Sequence, residues 1–85
     1  MSTRIGSLEE LKREAQSEQY PEFFILLRGY LRSSKRISWD EGKRRFSIIN
    51  FIDDTEQVLT ESQLMDREYT NIGYAITKGA LFKDD

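Results

Sequence analysis

Between Arg36 and Ile52 the chain places large apolar side chains at every second position, Ile37 and Trp39 before the segment Asp40-Glu41-Gly42-Lys43, and Phe46, Ile48 and Ile52 after it. Side chains alternate between the two faces of a strand, so this spacing predicts a β-hairpin over residues 36–52 with one apolar face. The pattern constrains the fold because slipping either strand by one residue would send its apolar set to the opposite side. A two- or four-residue loop centred on Glu41-Gly42 sets Ile37 opposite Phe46. It also sets Trp39 opposite Arg44, within reach of a cation–π contact. A three-residue loop would instead oppose Ile37 to Arg45, and is rejected. In the favoured register Ile37, Trp39, Phe46, Ile48 and Ile52 face the core. Arg36, Ser38, Arg45 and Ser47 share the other face, joined by Arg32 and Ser34 if pairing continues towards Leu31. Ile49 and Phe51 interrupt that polar face, and we expect them to mark where something covers the far end of the sheet.

Ahead of the hairpin, Ser7-Leu8-Glu9-Glu10 fits a capping box, in which a serine hydroxyl and a glutamate three residues on satisfy each other's backbone amides. A helix is expected from there to about Glu18, with Leu8, Leu11 and Ala15 as its inner stripe. Residues 22–32 suit either period. Phe23, Phe24, Leu27, Tyr30 and Leu31 have helical spacing, but the run Phe23 to Leu27 followed by Gly29 fits a strand covered on both faces and ending at a bend, which we favour. Beyond the hairpin, Asp53-Asp54 forms a turn and Gln57-Val58-Leu59 a short strand. Thr60-Glu61-Ser62-Gln63 is a second capping box, opening a helix with Leu64 and Met65 inward. Thr70 or Asn71 starts a last helix with Ile72, Ala75 and Ile76 inside, Gly79 stops it, and Ala80-Leu81-Phe82 docks back on the core. The expected fold is α+β: a small antiparallel sheet built on the central hairpin, an N-terminal helix and two short C-terminal helices. Residues 1–85 form one domain, with 1–6 and 83–85 frayed.

Charge is unevenly placed. Residues 28–45 sum to +5, whereas residues 1–27 sum to −2 and 46–85 to −5, within a net charge of −2. The chain has neither cysteine nor histidine, which removes disulfides, thiolate nucleophiles, zinc-finger spacing and the commonest general base. We expect no cofactor, no resident metal and no enzymatic activity. No apolar run follows the first residues and no window is long enough to span a membrane, so a soluble, cytoplasmic protein is expected.

The stretches Arg32-Ser33-Ser34-Lys35, Ile52-Asp53-Asp54-Thr55-Glu56-Gln57 and Thr70 to Leu81 resemble segments of small uncharacterised bacterial proteins, over roughly residues 22–82. The resemblance implies a compact bacterial α+β domain and carries no activity to transfer.

Three groups of residues are candidate sites. Arg32, Ser34, Arg36, Ser38, Arg45 and Ser47 combine guanidinium forks with hydroxyls, a set suited to phosphate oxygens; the same residues would also keep a sheet face soluble. Asp53, Asp54 and Glu56 offer oxygen ligands but match no EF-hand spacing, and turn formation accounts for them. Ser33-Ser34-Lys35 lacks the geometry of a serine nucleophile, since neighbours on a strand point apart. Ten aromatic residues are many for a chain this size to bury, so Tyr30, Tyr69 and Tyr74 are expected in an exposed patch. The expected function is a protein-interaction module, with another protein or a second copy as partner. The alternative is nucleic acid or another polyanion bound by the basic hairpin face.

Overall fold

A computed structural model describes residues 2–27, 31–51 and 53–85, with the side chains of Leu31 and Arg32 outside it. The expectations placed on Gly29, Tyr30, Ile52 and the Arg32 side chain therefore lie outside the described residues. In chain order the elements are β1 (Ser2–Arg4), α1 (Leu8–Glu14), β2 (Glu22–Leu27), β3 (Leu31–Asp40), β4 (Arg45–Asn50), β5 (Thr55–Leu59), α2 (Glu61–Leu64), α3 (Ile72–Thr77) and β6 (Leu81–Asp84). The architecture is mixed α+β and mostly sheet: six strands in the order β1-β6-β2-β3-β4-β5, every pair antiparallel. Residues 22–27 are strand, not helix.

One face of this sheet holds the core. Phe23, Ile25, Ile37, Trp39, Phe46, Ile48, Leu59 and Leu81 form a single cluster with Leu11 and Ala15 of the α1 segment, Leu64 of α2, and Ile72, Ala75 and Ile76 of α3. Among the described residues the three helices therefore cover the same side, and none lies on the opposite face.

The hairpin register differs from the expected one. Trp39 pairs with Phe46, Ile37 with Ile48 and Asp40 with Arg45, so the loop is Glu41 to Arg44, centred one residue later. The turn is built on Asp40, whose carboxylate accepts from the Lys43 amide (3.0 Å) and whose carbonyl accepts from the Arg44 amide (2.7 Å). Arg44 takes the left-handed conformation, φ 55°. An aspartate that caps its own turn outcompetes the Glu-Gly pair. Moving the centre by one residue shifts the pairing by two, an even number, so the core set keeps its face. Arg44 still lies over the Trp39 ring, 5.5 Å from its centroid, although it reaches it from the loop and not from across the ladder.

Helix α1 stops at Glu14, well short of Glu18. The reason is tertiary: β3 outruns β2, and the amides it presents beyond that neighbour find the Pro21 carbonyl (from Ile37, 3.1 Å) and the Ala15 carbonyl (from Trp39, 3.4 Å). The end of α1 is thus held against the strand. Ser7 caps its start, accepting from the Glu10 amide at 3.1 Å, while α2 begins with a complete capping box between Thr60 and Gln63. Met65 is not inward but 37% exposed. Asn71 occupies the first cap of α3 without a side-chain bond; Thr70 Oγ1 instead accepts from the Ile72 amide (3.3 Å). Gly79, at φ 67°, ends that helix in the left-handed conformation, which glycine adopts without steric penalty.

The strands Ser2–Arg4 and Leu81–Asp84 take in residues expected to fray. Ser2, Thr3 and Arg4 pair with Asp84, Lys83 and Phe82, and β6 is inserted between β1 and β2. Lys83 explains why. It is buried, and its ammonium reaches Glu14 (3.3 Å), Ser17 (2.8 Å) and Glu18 (3.6 Å) at the end of α1. A charge-assisted, largely buried contact fixes a segment whose sequence reads as a polar tail.

Candidate interaction surface

Five of the residues singled out as a binding face, Ser34, Arg36, Ser38, Arg45 and Ser47, lie on the helix-free side of the sheet. Their cross-strand partners define its rows. Arg4, Phe82, Phe24 and Ser34 form one, Glu22, Arg36, Ile49 and Glu56 a second, Ser38, Ser47 and Val58 a third, and Asp40 and Arg45 the last. No described helix covers this face; Arg45 is exposed, and Ser34, Arg36, Ser38 and Ser47 are half-buried.

It is not, however, a simple basic patch. Phe24 and Phe82 stack at its centre with ring centroids 5.3 Å apart and planes 15° apart, and Arg4 lies 5.5 Å from the Phe82 centroid. Glu22, Asp40 and Glu56 place carboxylates in the same rows as the arginines. The guanidinium groups also have backbone partners: Arg36 donates to the Tyr20 carbonyl (2.9 Å), and Arg45 to the Lys43 and Arg44 carbonyls (3.2 and 3.0 Å). Phe51 is not covered. It is 43% exposed, with Arg36 5.3 Å from its ring centroid.

Among the described residues, the large hydrophobic side chains left exposed all belong to the segment 51–69 that contains the edge strand β5. They are Phe51, Val58 (60%), Met65 and Tyr69 (46%). Val58 belongs to β5, Phe51 to the turn entering it and Met65 to the cap of the helix that follows, while the Tyr69 carbonyl accepts from Gln57 Nε2 of β5 at 3.1 Å. Tyr69 is thus exposed as expected. Tyr74 is not: it is half-buried, with Arg67 4.3 Å and Lys78 5.6 Å from its ring centroid. Sequence reasoning missed the apolar edge because a Thr-Glu-Gln-Val-Leu strand looks the same whether it lies at a sheet's centre or its margin. The one signal was its composition, a strand with a single charged residue.

The acidic corner is turn chemistry. Asp53 Oδ1 accepts from the Thr55 hydroxyl (2.7 Å) and amide (3.2 Å), bonds that hold its carboxyl below the usual carboxylate range. Among the described residues no group of three or more acidic side chains is placed to hold a metal ion, and no helix is long and apolar enough to cross a membrane.

A second set of charges braces the hairpin loop against the helices. Lys12, mostly buried, pairs with Glu61 and with Glu9 (3.2 Å), and Arg44 reaches Glu61 at 2.7 Å. Lys12 also lies 5.1 Å from the Trp39 ring centroid. The hydrogen bond from Lys12, then that from Arg44, holds the Glu61 carboxyl below its ordinary value. A carboxyl depressed in the folded state stabilises fully above its unfolded pKa and loses that contribution as pH falls through the folded value. Glu61→Gln is accordingly expected to lower stability at neutral pH and to flatten its decline between about pH 5 and 3. Urea midpoints followed by Trp39 fluorescence across that range check this; an unchanged pH profile in the variant would remove Glu61 from the account.

Comparison with protein-family models, curated proteins and solved structures finds no match for this chain.

Proposed function

We propose that the chain is a non-enzymatic protein-interaction module, and that its partner is a second copy of itself joined through β5. The observation that carries this reading is that the exposed large apolar side chains among the described residues, Phe51, Val58, Met65 and Tyr69, all belong to the segment around the edge strand β5. Edge strands present unpaired backbone groups that accept another strand, and proteins usually guard them with lysine, proline, a bulge or extreme shortness. The β1 edge is guarded, being three residues long with Arg4 at its end. The β5 edge has five residues, no lysine and no proline.

Antiparallel pairing of two β5 strands about Gln57 is self-complementary, as a two-fold contact must be. It opposes Glu56 of one copy to Val58 of the other and Thr55 to Leu59, so no like charges meet. Val58 and Phe51 then continue the outer face into the neighbouring sheet. On this reading Val58→Lys keeps the monomer folded, because the position is on the solvent face, and abolishes the dimer. Analytical ultracentrifugation from micromolar to millimolar protein is the test, with a concentration-dependent dimer expected for the parent chain. A parent chain that stays monomeric throughout overturns the proposal.

The polyanion alternative is supported by the exposed position of Arg45 and weakened by the carboxylates in its row and that of Arg36. It would be favoured if single-stranded DNA bound at about 50 mM salt and lost affinity steeply by about 200 mM.

A further inference from the structure

On the helix side of the sheet, away from β5, a concavity of about 230 Å³ opens between β2, β3 and the start of α3. Its floor is apolar, made by Ile25 and Leu27 of β2 and by Ala75. Among the described residues its polar lining is Lys35, Arg67, Ser33, Asn71 and Tyr74, with no carboxylate. That is unusual in a chain with net charge −2. Ser33 and Lys35 point here because they alternate with the outward Ser34 and Arg36, and Ser33 is directly opposite Ile25.

Among the described residues neither Lys35 nor Arg67 forms an ion pair; the Asp53 carboxylate, which accepts from Thr55, acts on Lys35 electrostatically without a direct contact. Arg67 lies over the Tyr74 ring, its guanidinium carbon 4.3 Å from the centroid. A ring under a guanidinium limits its motion and leaves donors at its edge for a planar bidentate acceptor.

We propose that this concavity binds a small amphipathic carboxylate, whose head group lies between Arg67 and Lys35 and whose apolar body rests on Ile25, Leu27 and Ala75. The hydroxyl of Ser33 and the amide of Asn71 supply further donors to the head group. The volume is below the roughly 300 Å³ at which drug-sized sites begin, so the ligand has the size of benzoate or hexanoate and not of a nucleotide. Affinity for so few heavy atoms is on the order of 1 mM.

Titration of the full, isotopically labelled chain with sodium benzoate and sodium hexanoate, followed by amide chemical shifts, tests this. Saturable shifts are expected at Ser33, Lys35, Asn71 and Ala75, with none from hexylamine at the same concentrations. Arg67→Gln, at an exposed position, should leave the rest of the spectrum unchanged and weaken binding at least tenfold, the loss expected when a bidentate charged partner is removed. Absence of saturation by about ten times the expected dissociation constant overturns the proposal. So does an equal response to hexylamine, or unaltered affinity in the Arg67 variant. Inorganic phosphate binding as tightly as hexanoate would likewise overturn it, by showing that the apolar floor contributes nothing.

Discussion

Phe46→Ala is expected to leave most of the chain unfolded at room temperature in mild denaturant, and to lower stability by about 3–5 kcal/mol. Phe46 is fully buried and is the cross-strand partner of both Trp39 and Leu59. Its ring centroid lies 4.4 Å from that of Trp39, the planes inclined at 48°. Removing the ring takes away apolar contact from both neighbouring strands, β3 and β5, neither of which can move inward without disturbing its ladder with β4. A domain of 85 residues has a total stability of roughly 4–8 kcal/mol, so one such cavity is comparable with the whole. Urea unfolding followed by Trp39 fluorescence measures the loss. Phe46→Leu, which refills most of the volume, should recover more than half of it. A cost for the alanine variant below about 1 kcal/mol would contradict the placement of Phe46 at the centre of the core.

The second large effect is one that helix propensity would predict with the wrong sign. Gly73 lies in the first turn of α3, where alanine is intrinsically favoured over glycine by about 0.5–1 kcal/mol. A Cβ there would stand 2.5 Å from the Met65 Cα and 3.0 Å from the Leu64 carbonyl oxygen. Both obstacles are backbone at the end of α2, so no side-chain rotation relieves them. Gly73→Ala is expected to destabilise by about 1–3 kcal/mol, the usual cost of overpacking, through forced separation of α2 and α3. Thermal unfolding of the variant, read against a Thr77→Ala control near the exposed end of the same helix, distinguishes the two accounts. An alanine at 73 that raises the midpoint would mean that the two helices do not meet as closely as they do here.

How far these features can be read from the chain depends on how local their causes are. The faces of the hairpin are legible because strand alternation is a property of neighbouring residues, and an error of one in the loop centre leaves it intact. The caps at Ser7 and Thr60 are legible for the same reason: donor and acceptor lie three residues apart. The loop centre itself was harder, since Asp40 and Glu41-Gly42 are competing turn formers and only the carboxylate's bond to the Lys43 amide decides between them.

Of the candidate surface, the sequence alone indicated that Ser34, Arg36, Ser38, Arg45 and Ser47 would lie together, and they do. It gave no sign that Phe24 and Phe82, 58 positions apart in the chain, would stack among them. Nor did it show that Lys83 would anchor the C-terminal segment as a strand, because the acids it meets, Glu14 and Glu18, lie near the other end of the chain. Whether β5 is an edge, and whether Lys35 and Arg67 share a pocket, are likewise properties of strand order and helix docking. Strand periodicity and capping are fixed by bonds spanning a few residues and so are written in the sequence. The composition of each surface depends on which distant segments become neighbours, and only the tertiary structure settles that.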